Sequence, residues 1–169
     1  MCLSRTASTA GLAELAVVPL GATEQHGPHL PLGTDTIIAR ALARGLAAAR
    51  DDVVVAPALP YGSSGEHAGF PGTLSIGQEA LRLVVLELAR SWPGRMLFVC
   101  AHGGNAEPLA AAVRELPDAR AWVPAFGGDA HAGRVETSLM LALAPELVGA
   151  AREPGNVAPL RELMPALRA

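Results

Sequence analysis

Residues 21–35 read GATEQHGPHLPLGTD and gather Glu24, His26, His29 and Asp35 among glycines and prolines that exclude a regular helix. Glu24 and His26 are two apart, so in extended backbone they face the same side. Asp35 opens the next helical pattern, where it is equally suited to capping that helix and to joining the first two residues. Glu, His and Asp at this spacing suit a borderline divalent ion such as zinc, manganese or iron. Three further segments carry similar chemistry: YGSSGEHAGFPG offers Ser64, Glu66 and His67, VCAHGGN offers His102, and GGDAHAGRVETS offers Asp129, His131 and Glu136.

Taken singly, each segment has a plain structural reading. His102 reads as a satisfied core histidine, His131 as a solvated loop residue, and Asn105 as the N-cap of the following helix. Glu136 falls in a first helical turn, where the helix dipole favours a carboxylate in any case. Glu66 reads as holding the shape of its loop. The coincidence of the clusters, and their charge, argue for more. Glu24, Asp35 and Glu136 carry three negative charges with His26 and His102 neutral. Two divalent ions and one hydroxide would balance them, and a low-dielectric cleft favours neutrality. Bound metals would also make a water nucleophilic near neutral pH.

The elements that must position these residues alternate. Apolar runs at 12–21, 53–62, 95–105 and 119–126 read as strands, and helical spacing appears at 34–52, 76–92, 106–116 and 135–144. This order predicts an α/β fold, a three-layer α/β/α arrangement with a mainly parallel sheet, in a single domain over 1–169. In such sheets ligands bind beyond the carboxyl ends of the strands. All four clusters follow strands, so all four fall on one sheet edge.

Composition narrows the class. Half the residues are apolar and 17% are charged, which excludes a disordered chain. All 13 basic residues are arginines, scattered singly, and aromatics make up 4%, so neither a basic stripe nor a stacking platform for nucleic acid is present. No apolar run is long enough for a membrane span, and the N-terminal run, broken by Glu14, does not read as a signal peptide. Cys2 and Cys100 are too few and too differently placed for a disulfide framework, and Cys100 reads as a buried thiol. Trp92 and Trp122 read as core or interface anchors. The expectation is a soluble cytoplasmic protein. No Gly-x-Ser-x-Gly elbow, phosphate loop or dinucleotide fingerprint appears.

The motifs PLGATEQHGPHLPLGTD, YGSSGEHAGFPGTLS, AHGGN and DAHAGRVETSLM together resemble the creatininase (creatinine amidohydrolase) family over roughly residues 16–145. Within it the similarity is closest to the creatininase-like peptidases of the mycofactocin system, which remove a C-terminal Val-Tyr dipeptide from a modified precursor peptide. The resemblance implies two divalent metal ions (zinc, iron or manganese), with Glu24, His26, Asp35 and His102 as ligands and Asp35 bridging. Creatininase has its next ligand, a glutamate, two residues after that histidine. Gly104 stands there in this chain, and Glu136 is the expected replacement. The resemblance further implies His131 as the proton shuttle, Ser64 as a substrate contact, and a homo-oligomer. His67, in a loop facing the site, reads either as a further substrate contact or as a hydrogen-bonding support of that loop.

Relatives of that subgroup continue past PLRELMPALRA into a Gly/Pro-rich segment, so a chain stopping at Ala169 is expected to be a short form. The reading is a metal-dependent hydrolase of C–N bonds. Its substrate is the modified peptide or, in the alternative, a small cyclic amide or formamide. A non-catalytic, metal-stabilised relative is the competing class.

Overall fold

Strands and helices alternate as β1 (Leu15–Leu20), α1 (Thr34–Ala48), β2 (Val53–Val55), α2 (Gly77–Ser91), β3 (Arg95–Cys100), α3 (Ala106–Arg114), β4 (Ala119–Trp122) and α4 (Arg134–Leu143). The computed structural model describes residues 2–3, 13–126, 131–151, 153–154, 158 and 162. Asp129 lies outside the described residues. The strands form one sheet in the order β2-β1-β3-β4, and every described pairing is parallel. β1 and β2 are buried along almost their whole length, as strands covered on both faces must be.

The period-two alternation divides the core between the two faces. Ala16, Val18, Leu20, Met96, Phe98 and Cys100 pack with Leu81, Val85 and Leu86 of α2 and with Leu109 and Ala112 of α3. Val17, Val53, Val55 and Val99 pack on the other face with Ala43 and Leu42 of α1. Ile38, also of α1, meets Met140 of α4 and Leu30 of the loop after β1. The three-layer α/β/α expectation therefore holds.

Where elements end early, local chemistry accounts for it. The predicted strand 53–62 is cut to Val53–Val55 because Pro57 and Pro60 cannot donate to a ladder, although Leu59 still bonds to the Pro19 carbonyl at 2.9 Å. The predicted strand 119–126 ends at Trp122, shortly before Pro124. α1 stops at Ala48, and Arg50 then clamps Asp52 with two hydrogen bonds of 2.9 and 2.6 Å that shape the turn into β2. Cys100 is fully buried as expected. Trp92 packs against the core, whereas Trp122 is 45% exposed on the edge strand.

The sheet order places the site. β1 is flanked by β2 on one side and β3 on the other, and the crossovers α1 and α2 lie on opposite faces. The chain thus reverses its direction of travel at β1/β3, and the loops leaving those two strands diverge to leave a crevice.

Candidate metal centre

Glu24 and His26 come from the loop after β1, Asp35 from the first turn of α1, and His102 from the turn two residues past the end of β3. Each is at most 5% exposed. The loop folds back on itself, with the Glu24 N–H bonded to the Leu32 carbonyl and His26 bridged to Pro28 and Leu30. Asp35 is not the cap of α1. It is the second residue of the helix, Gly33 holds the cap position, and the Asp35 carboxylate turns inward. Asn105 does stand at the cap position of α3, but its side chain makes no capping bond. It accepts from the Ser63 N–H at 2.7 Å and donates to the Gly21 carbonyl at 2.9 Å, tying the ends of the first two strand loops together.

Hydrogen bonds fix which nitrogen of each imidazole faces the centre. His26 Nδ1 lies 3.1 Å from the Glu24 carbonyl, which can only accept, so in the neutral ring the proton sits there and Nε2 is bare. Nε2 faces Asp35 Oδ1 at 3.2 Å. His102 is set the opposite way: Nε2 donates to the Ser63 carbonyl at 3.0 Å, and bare Nδ1 faces Glu24 Oε1 at 3.2 Å and Asp35 Oδ2 at 3.4 Å. Both Glu24 carboxylate oxygens and Asp35 Oδ2 are buried without a hydrogen-bond partner. Buried anions opposite these nitrogens need positive charge beside them, either an ion held between them or protons on the rings.

The spacing fits that cation. Two donors on one ion with bonds of about 2.1 Å at a tetrahedral angle lie about 3.4 Å apart. Ligand atoms of Glu24, Asp35 and His102 all fall within 4.8 Å of one another, and so do those of His26, Asp35 and Glu136. The two triplets share Asp35. Among the described residues, Glu24 also forms such groups with His26 and His131 and with Glu66 and His67.

Without an ion, protons perform the balancing. Burial alone would depress both imidazoles, but the neighbouring carboxylates outweigh it. Asp35 pushes His26 up to about 9, and Asp35 with Glu24 pushes His102 up to about 11. Burial would raise Asp35 and Glu24, yet the imidazoles hold both below the ordinary carboxylate range. Glu136 differs: burial prevails over His26 and pushes it up. The helix end alone therefore does not keep Glu136 a strong acid. Its Oε2 accepts the Ala132 N–H, and Ala132 holds a left-handed φ of 50° to present it.

The remaining residues surround this core. His131 donates from Nε2 to the Gln25 carbonyl at 2.7 Å, leaving bare Nδ1 at 3.9 Å from Glu24 Oε1. His67 Nε2 stands 3.5 Å from the same oxygen. Ser64, expected at the substrate, has no exposed surface, and its hydroxyl lies 3.3 Å from His102 Nε2 as a buttress to that ring. Glu66 reaches within 3.5 Å of the same nitrogen. Gly104, which takes the place of creatininase's glutamate, has no room for a side chain: an added Cβ would lie 2.3 Å from the Ser63 carbonyl oxygen and 2.5 Å from His102 Nε2. Gln25, whose carbonyl and amide hold two histidines, has no metal-ligand chemistry to single it out in the sequence.

The family model for creatinine amidohydrolase matches residues 5–167. The chain belongs to the creatininase family. A mycofactocin precursor peptide peptidase of Mycolicibacterium smegmatis is 52% identical over 174 residues, covering 91% of this chain and 68% of that one. A creatinine amidohydrolase of Pseudomonas putida is 32% identical, covering 78% and 65%. A mutant creatininase of the Zn-Zn type superposes with a TM-score of 0.67 at 29% identity, covering 86% of this chain and 74% of that structure. As a creatininase-family member, the chain is a hydrolase acting on C–N bonds.

Proposed function

We propose that this chain is a two-metal peptidase that releases a C-terminal dipeptide from a modified mycofactocin precursor peptide. The observation that carries the metal reading is the pair of donor triplets sharing Asp35. The substrate reading is supported by the 52% identity to the peptidase above. Glu24, Asp35 and His102 would hold one zinc, iron or manganese ion, and His26, Asp35 and Glu136 the other. When bound, the two ions polarise the amide carbonyl and activate the attacking water.

The chain's own groups handle the protons. His131 Nδ1, bare and directed at Glu24, takes a proton from the water as its oxygen bonds to the carbonyl carbon. The same proton passes to the amide nitrogen as the C–N bond breaks, leaving an amine and a carboxylic acid, whose remaining proton is then lost to water or to the amine. His67 contacts the substrate. The resemblance also implies a homo-oligomer.

Purified chain loaded with each metal, incubated separately with a synthetic peptide ending in Val-Tyr and with creatinine, tests the reading by mass spectrometry. Release of the dipeptide is the expected result. Ring opening of creatinine without peptide cleavage would favour the small-amide alternative, and turnover of neither would remove the peptidase reading.

A further inference from the structure

His67 and His131, the two site imidazoles outside both triplets, lie ring against ring with centroids 4.5 Å apart, and Gln25 bonds to each. The Gln25 carbonyl accepts from His131 Nε2 at 2.7 Å. Its side-chain Oε1 accepts the Gly27 N–H at 2.9 Å, which leaves its Nε2 as the donor toward His67 Nδ1 at 3.2 Å. A ring nitrogen that accepts carries no proton, so neutral His67 bears its proton on Nε2. Of the four site histidines, His26, His102 and His131 turn a bare nitrogen to the carboxylates. His67 alone turns an N–H there.

We propose that Gln25 presets these two histidines to opposite roles, His131 to accept a proton and His67 to donate a hydrogen bond from Nε2 to the substrate's carbonyl oxygen. The carboxylate oxygen that Nε2–H faces, Glu24 Oε1, is 3.5 Å away, too far for a good hydrogen bond. That donor is therefore available to an incoming oxygen. It faces the Glu24 carboxylate, so in the proposed centre it lies beside the ion that would polarise the substrate's carbonyl. As charge builds on that oxygen, a fixed N–H in a buried setting strengthens its hold without reorganising. His67 is then a catalytic residue and Gln25 a positioning residue. The inference rests on the amide-hydrolase reading for the identity of the oxygen, but not for the tautomers.

The test has two arms. In the first, ring nitrogen NMR of the zinc-loaded chain assigns the tautomers, using His67→Gln and His131→Ala to identify signals. An Nε2–H tautomer is expected for both His67 and His131. In Gln25→Met the His67 signal should move toward a tautomer mixture while His131, held by a backbone carbonyl, stays. An Nδ1–H tautomer or an imidazolium at His67 in the parent chain overturns the proposal, whatever the substrate proves to be.

In the second arm, kcat is measured on the Val-Tyr peptide, together with metal content. His67→Phe should lower kcat about 10²–10³-fold, as for loss of one oxyanion donor, with both metals kept. His67→Gln places an amide N–H near the lost one and should recover at least about tenfold of that loss, a hydrogen bond of ordinary strength. Equal inactivity of the two variants, full activity of His67→Phe, or loss of a metal from it would each overturn the role. A parent chain that fails to cleave the peptide removes the peptidase reading, and the first arm alone then decides this one.

Discussion

Asp35 is the residue on which the two donor triplets depend, since its carboxylate faces His26 with one oxygen and His102 with the other. Asp35→Ala should therefore lose both ions in metal analysis of the dialysed protein. Retention of a full complement would show that it does not bridge. His131→Ala should leave metal content intact and lower kcat by about 10²–10⁴, the range for a general acid–base group. Glu136 belongs to one triplet only, so Glu136→Gln should deplete one ion selectively and abolish turnover. If Glu136 merely stabilised the helix end, the same variant would keep its metals and lose about 0.3–1 kcal/mol in a urea titration.

The turn between β3 and α3 shows how an element determines the chemistry. Gly103–Asn105 form a single tight helical turn directly after His102, and Gly104 passes against Ser63, Glu66 and His102 with no space for a Cβ. This packing excludes a side chain at position 104, and in the proposed centre the fifth donor is Glu136 of α4. α4 is positioned for that role by Ile38 against Met140 and by a 2.7 Å hydrogen bond between His29 and Thr137. Gly104→Ala should push His102 off its Ser63 carbonyl. The expected outcome is about 1–3 kcal/mol of lost stability from overpacking, together with loss of the ion held by Glu24, Asp35 and His102. Urea titration and metal analysis of one preparation read both.

For the whole molecule, the centre links metal, pH and stability. In metal-free protein the raised His26 and His102 contribute stability in full below their ordinary value of 6.5. That contribution is lost as pH rises through about 9 for His26 and about 11 for His102. The depressed Glu24 and Asp35 act at the other end, their contribution being lost as pH falls below the ordinary carboxylate range. A bound ion replaces the protons on the alkaline side. The gap in Tm between zinc-loaded and EDTA-treated protein should therefore widen from pH 7 to pH 10. A constant gap would mean that these imidazoles do not neutralise the carboxylates. At a free metal concentration of 100 times Kd, the ion adds about 2.7 kcal/mol per site.

The sequence by itself determined the layered fold, because apolar runs with strand and helix periods alternate along the chain and leave little choice of architecture. It also determined the candidate set Glu24, His26, Asp35, His102, His131 and Glu136, because each follows a strand and parallel strands bring their following loops to one edge. The loop after β2 added His67, and the family motifs added Ser64. Only the tertiary structure decided what these residues do to one another. Side-chain orientation depends on backbone carbonyls from distant segments: Ser63 turns His102, and Gln25 turns His131. Asp35 and Asn105 looked like helix caps because local spacing cannot show that a buried anion or a distant backbone group competes for the same side chain. Ser64 was sent behind His102 and Gly104 was left without side-chain space by packing between the loops after β2 and β3. Gln25 escaped notice for the same reason: a glutamine has no ligand or acid–base signature, and its effect exists only where the folded chain brings His67 and His131 to it.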